Sequence, residues 1–348
     1  MRCIEVINLD NIEYNMKKIQ HLISTDKIVA VVKADAYGHG YEKIVRLYEK
    51  LGIKWFAVAT YFEAIEVYNL GLNVNVLILG PVEMEYYSDL EKKRIRFAVT
   101  SFEELEYIKE NTKNALYHIA YDTGMGRIGF DDKNIDIALS KYKPEGVFTH
   151  LSVAEKDQDF TRSQIEKFNK VVSKYDILYK HALNSYGSLN NDKIYDLYRL
   201  GIILYGGDST GEFKPCKSLY ARVSYVKKLD HDTYIGYGNT YRAKVGDIVA
   251  TVSIGYADGL TRKISNNGKV YLNGAYYDII GNICMDQMMI KADENVKVGD
   301  FVEIYGDHIF ATDLAKACDT ISYDILCRFS KRVERKYIGG NKWHLTSF

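Results

Sequence analysis

The chain has 348 residues, and its 46 Lys and Arg balance 46 Asp and Glu, giving a formal net charge of zero. That balance leaves no electrostatic footprint for nucleic acid or an anionic membrane surface, and the length exceeds what one hydrophobic core usually organises. No apolar run is long enough to span a bilayer, and the opening MRCIEVINLDNIEYNMKKI lacks the apolar core of a signal peptide, so a soluble cytoplasmic protein is expected. The five cysteines (Cys3, Cys216, Cys284, Cys318, Cys327) are scattered without a CxxC pair, which argues against both a disulfide framework and a zinc site.

Asp10 precedes a segment in which Ile12, Met16, Ile19, Leu22 and Ile23 recur at helical spacing, so it is expected to cap a first amphipathic helix. Strand-like runs follow at 28–33, 55–60, 75–79, 95–100, 116–122, 146–152, 177–184 and 198–204, with charged helical segments such as YEKIVRLYEKLG and TSFEELEYIKEN between them. Eight strands alternating with helices predict an α/β fold of the (β/α)8 barrel type; alternation alone leaves a doubly wound open sheet open. Near Gly206 the texture changes to short alternating strands punctuated by Gly, Asn and Asp, with one helix near ATDLAKAC. The expected division is a barrel over 1–210 and a mostly β domain over 211–348, with DSTGEFKPCK as the linker and the first strand, 1–8, available to pair with the second domain.

The stretch VAVVKADAYGHG puts Lys33 at the end of an apolar run, an amine delivered to the carboxyl rim of a strand, where barrel ligands bind. Ala34, Ala36, Gly38 and Gly40 keep the backbone approachable, and Tyr37 and His39 bring two hydrogen-bonding rings. Arg127, His150, Asn184 with Ser185, and Arg199 fall at or just past other strand ends. Singly, each has a plainer reading: a solvated arginine, a satisfied core histidine, a turn or helix cap. Together they describe the rim of a site for an anionic aromatic ligand. A positioned lysine suits a cofactor with a reactive carbonyl, and Ser185 with the Gly201 turn suits a phosphate.

VVKADAYGHG resembles the lysine motif of alanine racemases, whose lysine carries pyridoxal 5'-phosphate as a Schiff base, and the similarity continues along nearly the whole chain. The resemblance implies that Lys33 is both the cofactor attachment and the base toward the D-amino acid. Tyr37, Ser185, Gly201, Ile202 and Tyr323 match the phosphate-binding positions, Arg199 the arginine facing the pyridine nitrogen, and His150 of FTHLS the histidine joined by hydrogen bonds to that arginine and to the second base. YGNTY makes Tyr237 that second base, acting toward the L-amino acid in a neighbouring subunit. Tyr256 of GYADG matches a residue of the substrate entrance, and Met285 of CMDQ and Arg127 of DTGMGRIG match contacts to the substrate carboxylate.

In many family members the residue seven before this arginine is a lysine that becomes carbamylated; here it is Ala120, which leaves the bracing of Arg127 to be explained. Two bases drawn from two chains imply a head-to-tail homodimer with shared active sites, acting on a small amino acid and supplying D-alanine for peptidoglycan. Alternatives are a serine or broad-specificity racemase, an amino-acid decarboxylase of the same fold, or a non-catalytic pyridoxal phosphate barrel. The tyrosines at 256 and 323 favour a small substrate, and the β domain disfavours a bare carrier.

Overall fold

In the computed structural model, which describes residues 1–208 and 210–339, the chain divides into two compact units. One is Met16–Ile203; the other joins Met1–Asn15 to the residues from Leu204 onward.

The first unit is built on eight parallel strands: Ile28–Val31, Trp55–Val58, Asn75–Ile78, Arg96–Val99, Tyr117–Ala120, Gly146–Phe148, Tyr179–His181 and Tyr198–Leu200. The first seven pair in chain order, each with the next, and the eighth pairs with the first. Asp196 N to Lys180 O and Arg199 N to Leu183 O, both 3.1 Å, bind the seventh strand's segment to the eighth and close the ring. These strands read as continuous apolar runs because both of their faces are covered, and Phe56, Phe97 and Ile119 are completely buried. Each such side chain contributes roughly 1.5–3 kcal/mol of burial.

All eight predicted strands are present, and each stops one to four residues before its predicted end. Many of the surplus residues are apolar or small and so look like strand, yet the ladder has ended before them and the chain has passed into the rim loops. The helices after the second and fourth strands start on capping boxes, in which Thr60 and Glu63, and Ser101 and Glu104, satisfy each other's backbone N–H groups. The first helix, Leu9–Gln20, is capped by Asn8 and not by Asp10: Asn8 Oδ1 accepts from Asn11 N at 3.1 Å, while Asp10 lies inside the first turn. Ile12, Met16, Ile19 and Ile23 are buried as expected, but Leu22 lies past the helix end and is exposed.

The second unit is antiparallel except at one edge. Its spine is Lys217–Lys228, which bends at two register shifts so that it pairs with Ile248–Val252 at one end and Phe301–Tyr305 at the other. The amino-terminal strand Cys3–Asn8 lies antiparallel to this spine and parallel to Glu334–Ile338. A helix forms at Ala311–Ala317 as predicted, and a second, Ser322–Cys327, was concealed in ISYDILCR. In the linker stretch, Ser209 lies outside the described residues, and the Asn15 side chain holds Lys214 by bonds of 2.9 Å to its N and O. Among the described residues no helix is long and apolar enough to cross a membrane.

Candidate active site

The barrel's candidate residues start where the strand Ile28–Val31 ends. From Ala34 to Tyr37 four consecutive non-glycine residues hold φ between 52° and 54° with positive ψ, a left-handed turn. L-residues pay roughly 1–2 kcal/mol each for that conformation, so surrounding groups must impose it. They do: Glu63 Oε1 accepts from Ala34 N at 2.7 Å, Asp35 Oδ1 from Tyr41 N at 2.8 Å, and Val32 O from Ala36 N at 2.8 Å. His39, read from the sequence as a ring for ligand binding, is buried and contacts Ala36 O and Tyr37 O through Nδ1 at 3.0 and 2.9 Å. Both acceptors are carbonyls, so Nδ1 carries the proton. The turn sets partly buried Lys33 at its start and buries Tyr37 under it.

Tyr37, Ser185 and Gly201 meet. Ser185 Oγ accepts from Gly201 N at 3.0 Å, and a Cβ on residue 201 would lie 2.3 Å from the Tyr37 hydroxyl, so only glycine admits the phenol there. Ser185 opens a short helix that Asn184 caps through Gly187 N, and buried Ile202 follows the glycine. Two hydroxyls and backbone amides at a turn are the donor set a phosphate prefers.

Arg127 is exposed on the loop after the strand Tyr117–Ala120. The loop hangs on Asp122, whose carboxylate receives Gly124 N, Met125 N and Gly126 N at 2.8–3.1 Å. Burial alone would raise this carboxyl's pKa, but the three N–H donors hold it below the usual range. Ala120 is buried against Ala98, Phe148 and Leu79, so apolar packing fills the place of the absent lysine and Asp122 organises the loop instead. Gln164, completely buried, ties this loop to the next: its Nε2 donates to Thr123 Oγ1 at 3.2 Å and to His150 O at 3.3 Å.

Arg199 is buried in the last strand. Nη1 donates to His181 Nδ1 at 2.7 Å and His181 O at 3.0 Å, and Nη2 to Thr149 O at 2.6 Å and Ala182 O at 2.9 Å. The imidazole bonded to Arg199 here is His181; His150, which the sequence pairs with it, is tied to it through charge. Burial, then Arg199, Arg127 and Lys33 in that order, push His150 down to about 3, so its ring is neutral. Burial and Arg127 likewise lower Arg199 to about 9, which leaves it charged at neutrality. The charges of Arg199, Arg127 and Lys33 are thus all felt at one neutral imidazole, on the same barrel rim that carries the hydroxyl and amide cradle. An anionic cofactor with a phosphate and a lysine-reactive carbonyl fits that donor set.

The neutral histidines carry a stability consequence. A ring whose folded pKa is depressed takes no proton as pH falls, whereas the unfolded chain does below roughly 6.5, so stability is full above that value and declines beneath it by about 1.4 kcal/mol per pH unit per ring. Burial depresses His118 and His181 as well as His150. The denaturant midpoint is therefore expected to be lower at pH 5 than at pH 7.5, with a shallower decline in His150→Asn. An equal or higher midpoint at pH 5 would contradict the assignment of neutral rings.

The β unit presents a second group of residues. Tyr237 is 74% exposed on a turn where Gly236, Gly238 and Asn239 hold positive φ, and Asn282 Nδ2 donates to its carbonyl at 2.8 Å. The turn at Tyr256 and the CMDQ loop are bonded to each other, Tyr256 N to Cys284 O at 3.1 Å and Ala257 N to Met285 O at 3.0 Å, with both side chains exposed. Asp258, fully buried, anchors the pair: Oδ2 accepts from Gly255 N at 2.9 Å, and Oδ1 takes Arg2 and, at 3.4 Å, Arg332 Nε. The same arginines reach Asp286, Arg2 through its carbonyl at 3.0 Å and Arg332 through its carboxylate at 2.6 Å. Partly buried Tyr323 sits in the short helix Ser322–Cys327. Sequence reasoning missed Glu63, Gln164, His181, Asp258 and both arginines. Of these only the histidine inside a strand motif, KHALN, and the aspartate of GYADG carried any local signal.

Two family models cover the chain: alanine racemase, N-terminal domain, over residues 7–209, and alanine racemase, C-terminal domain, over 216–337. Alanine racemase 2 of Caldanaerobacter subterraneus subsp. tengcongensis is 36% identical across 95% of this chain and 94% of its own, and the alanine racemase of Clostridium perfringens strain SM101 is 38% identical across 97% and 95%. Among solved structures, the alanine racemase of Clostridium difficile 630 matches with a TM-score of 0.91 at 35% identity, covering 98% of this chain and 97% of that one. The Bartonella henselae alanine racemase with covalently bound pyridoxal phosphate matches at 0.90 and 29%, covering 97% and 100%.

Proposed function

The chain belongs to the alanine racemase family, and from that premise we propose that it interconverts L- and D-alanine with pyridoxal 5'-phosphate, using Lys33 and Tyr237 as opposed bases. The observation that carries the reading is the Tyr37, Ser185 and Gly201 cradle, on the same barrel rim as Lys33, Arg199 and a neutral His150. Bound pyridoxal phosphate supplies an electron sink that makes the substrate α-proton removable. The chain's residues do the rest. Tyr37, Ser185, Gly201, Ile202 and Tyr323 hold the phosphate; Lys33 carries the cofactor and moves the α-proton on one face; Tyr237 moves it on the other. Arg199 is donor-only, so the ring nitrogen it faces stays unprotonated, which restrains competing transamination. Arg127 and the Met285 backbone take the substrate carboxylate, with Tyr256 narrowing the entrance.

Tyr237 is exposed within its own chain, which supports its entering a neighbouring subunit in a head-to-tail homodimer, with 1–210 carrying the cofactor and 211–348 the second base. A phenol's unperturbed pKa is roughly 10, so positive charge near it must favour the phenolate. We place the enzyme in the cytoplasm, supplying D-alanine for peptidoglycan. The test is a borohydride-trapped adduct mapped to Lys33, together with racemisation rates for alanine, serine and lysine. A different adduct site, or serine as the fastest substrate, would overturn the corresponding part.

The Asp258 anchor gives a separate expectation. Arg332→Ala removes one partner of Asp258 and one of Asp286, so the Met285 loop loosens while both bases stay intact. Loss of these ion pairs should raise KM for alanine a few-fold with little change in kcat. Steady-state kinetics check this, and an unchanged KM would remove the anchor from substrate binding.

A further inference from the structure

Behind Arg199 lie two buried histidines and a partly buried carboxylate that the proposed mechanism does not use. His181 takes Arg199 on Nδ1, and its Nε2 lies 2.8 Å from His118 Nδ1. His118 Nε2 lies 3.5 Å from Glu145 Oε2, long for a hydrogen bond, so this step is a loose contact between the ring edge and the carboxylate. Glu145 receives Arg96 on both oxygens at 2.9 and 3.1 Å, and Arg96 Nη1 donates to Asn75 Oδ1 at 2.8 Å. Asn75 and Arg96 are the first residues of their strands and Glu145 immediately precedes the strand Gly146–Phe148, so the chain of contacts runs from Arg199 toward the amino-terminal ends of the barrel strands.

The proton positions along this chain are dictated. A guanidinium has no acceptor, so His181 Nδ1 must accept and its proton sits on Nε2. His118 Nδ1 must then accept, which leaves the His118 proton on Nε2, facing the carboxylate. Reversing either ring sets two N–H groups against each other in a fully buried site. The fold makes room for this arrangement: a Cβ on residue 146 would lie 2.6 Å from His118 Nδ1, so glycine there lets the ring reach His181. Arg199, Arg96 and Glu145 are the charged groups along the pair. Burial keeps both rings neutral; burial alone would raise Glu145, but its contact with His118 and the two hydrogen bonds from Arg96 outweigh that and hold it ionised.

We propose that His118 and Glu145 are positioning residues for Arg199: the His181–His118 pair, locked in one tautomer and anchored on the Glu145 carboxylate, fixes the guanidinium where a bound cofactor's ring nitrogen is met. This rests on the role proposed above for Arg199. The neutral pair transmits orientation without adding charge beside the three cations of the rim.

Nitrogen NMR of the holoenzyme labelled in its eight histidines tests it directly. Two rings, identified by their loss in His118→Gln and His181→Gln, are expected as Nε2–H tautomers that do not titrate between pH 5.5 and 9. Either ring protonated on Nδ1, or titrating, overturns the proposal. His118→Phe keeps the ring bulk and deletes both polar atoms; it should lower kcat about tenfold with KM within twofold and shift the visible band of the bound cofactor. His118→Gln, whose amide can accept from His181 and donate toward Glu145, should recover most of both. Wild-type kcat and absorbance in His118→Phe would overturn the proposal, and if that variant does not fold, the same readouts on Glu145→Gln decide. A protein that racemises no alanine would defeat the proposed function, while the tautomer spectrum would still report on the pair.

Discussion

Tyr237→Phe is expected to lower racemisation by 10²- to 10⁴-fold in both directions, the range a general base contributes, without loss of bound cofactor. The substitution deletes one oxygen from a side chain that is 74% exposed within its own unit, so stability should be unchanged. The informative readout is isotopic. If Lys33 serves one face alone, the variant in deuterated water should still exchange the α-hydrogen of D-alanine without inverting it, and should leave L-alanine unexchanged. Full activity, or equal exchange from both enantiomers, would sink the two-base reading. Complementation tests the origin of the residue. Mixing Lys33→Ala subunits with Tyr237→Phe subunits gives one intact site in each hybrid dimer, and random assortment makes half the dimers hybrid, so roughly a quarter of wild-type activity should return. No recovery after exchange is shown would mean that both bases come from one chain.

The residues legible in the sequence are those that chemistry fixes one at a time. Lys33 alone reads as a lysine that merely ends a strand, and it is legible because AYGHG follows it and other chemistry-bearing residues end the other strands; the eight strands are legible because a strand buried on both faces is apolar nearly throughout. What stayed hidden is what long-range packing creates. Nothing local ties Arg2 to Arg332, yet both converge on Asp258. Nothing local tells that residues 34–37 adopt left-handed dihedrals, since Ala and Tyr prefer other regions and one of the bonds that hold the turn comes from Glu63 in the next βα unit. His150 and His181 divide between them what the sequence assigned to one ring: the first meets the charges of the rim, the second makes the bond. The strand ends were misjudged for a related reason. Rim residues such as Val32, Leu151 and Leu183 are buried, so their hydropathy extends the strand pattern past the point where the backbone leaves the sheet.

Lys33→Ala is expected to have the largest effect. It removes the attachment and one base together, so racemisation should fall on the order of 10⁴-fold or more, and borohydride should fix no adduct at that position. Lys33→Arg separates the two contributions of the side chain. It retains a positive charge beside His150, but a guanidinium, which is never deprotonated in a protein, can neither attack a carbonyl nor accept the α-proton. Equal losses in both variants would assign the effect to the amine as nucleophile and base, whereas substantial activity in Lys33→Arg would mean that charge alone suffices and that another lysine carries the cofactor.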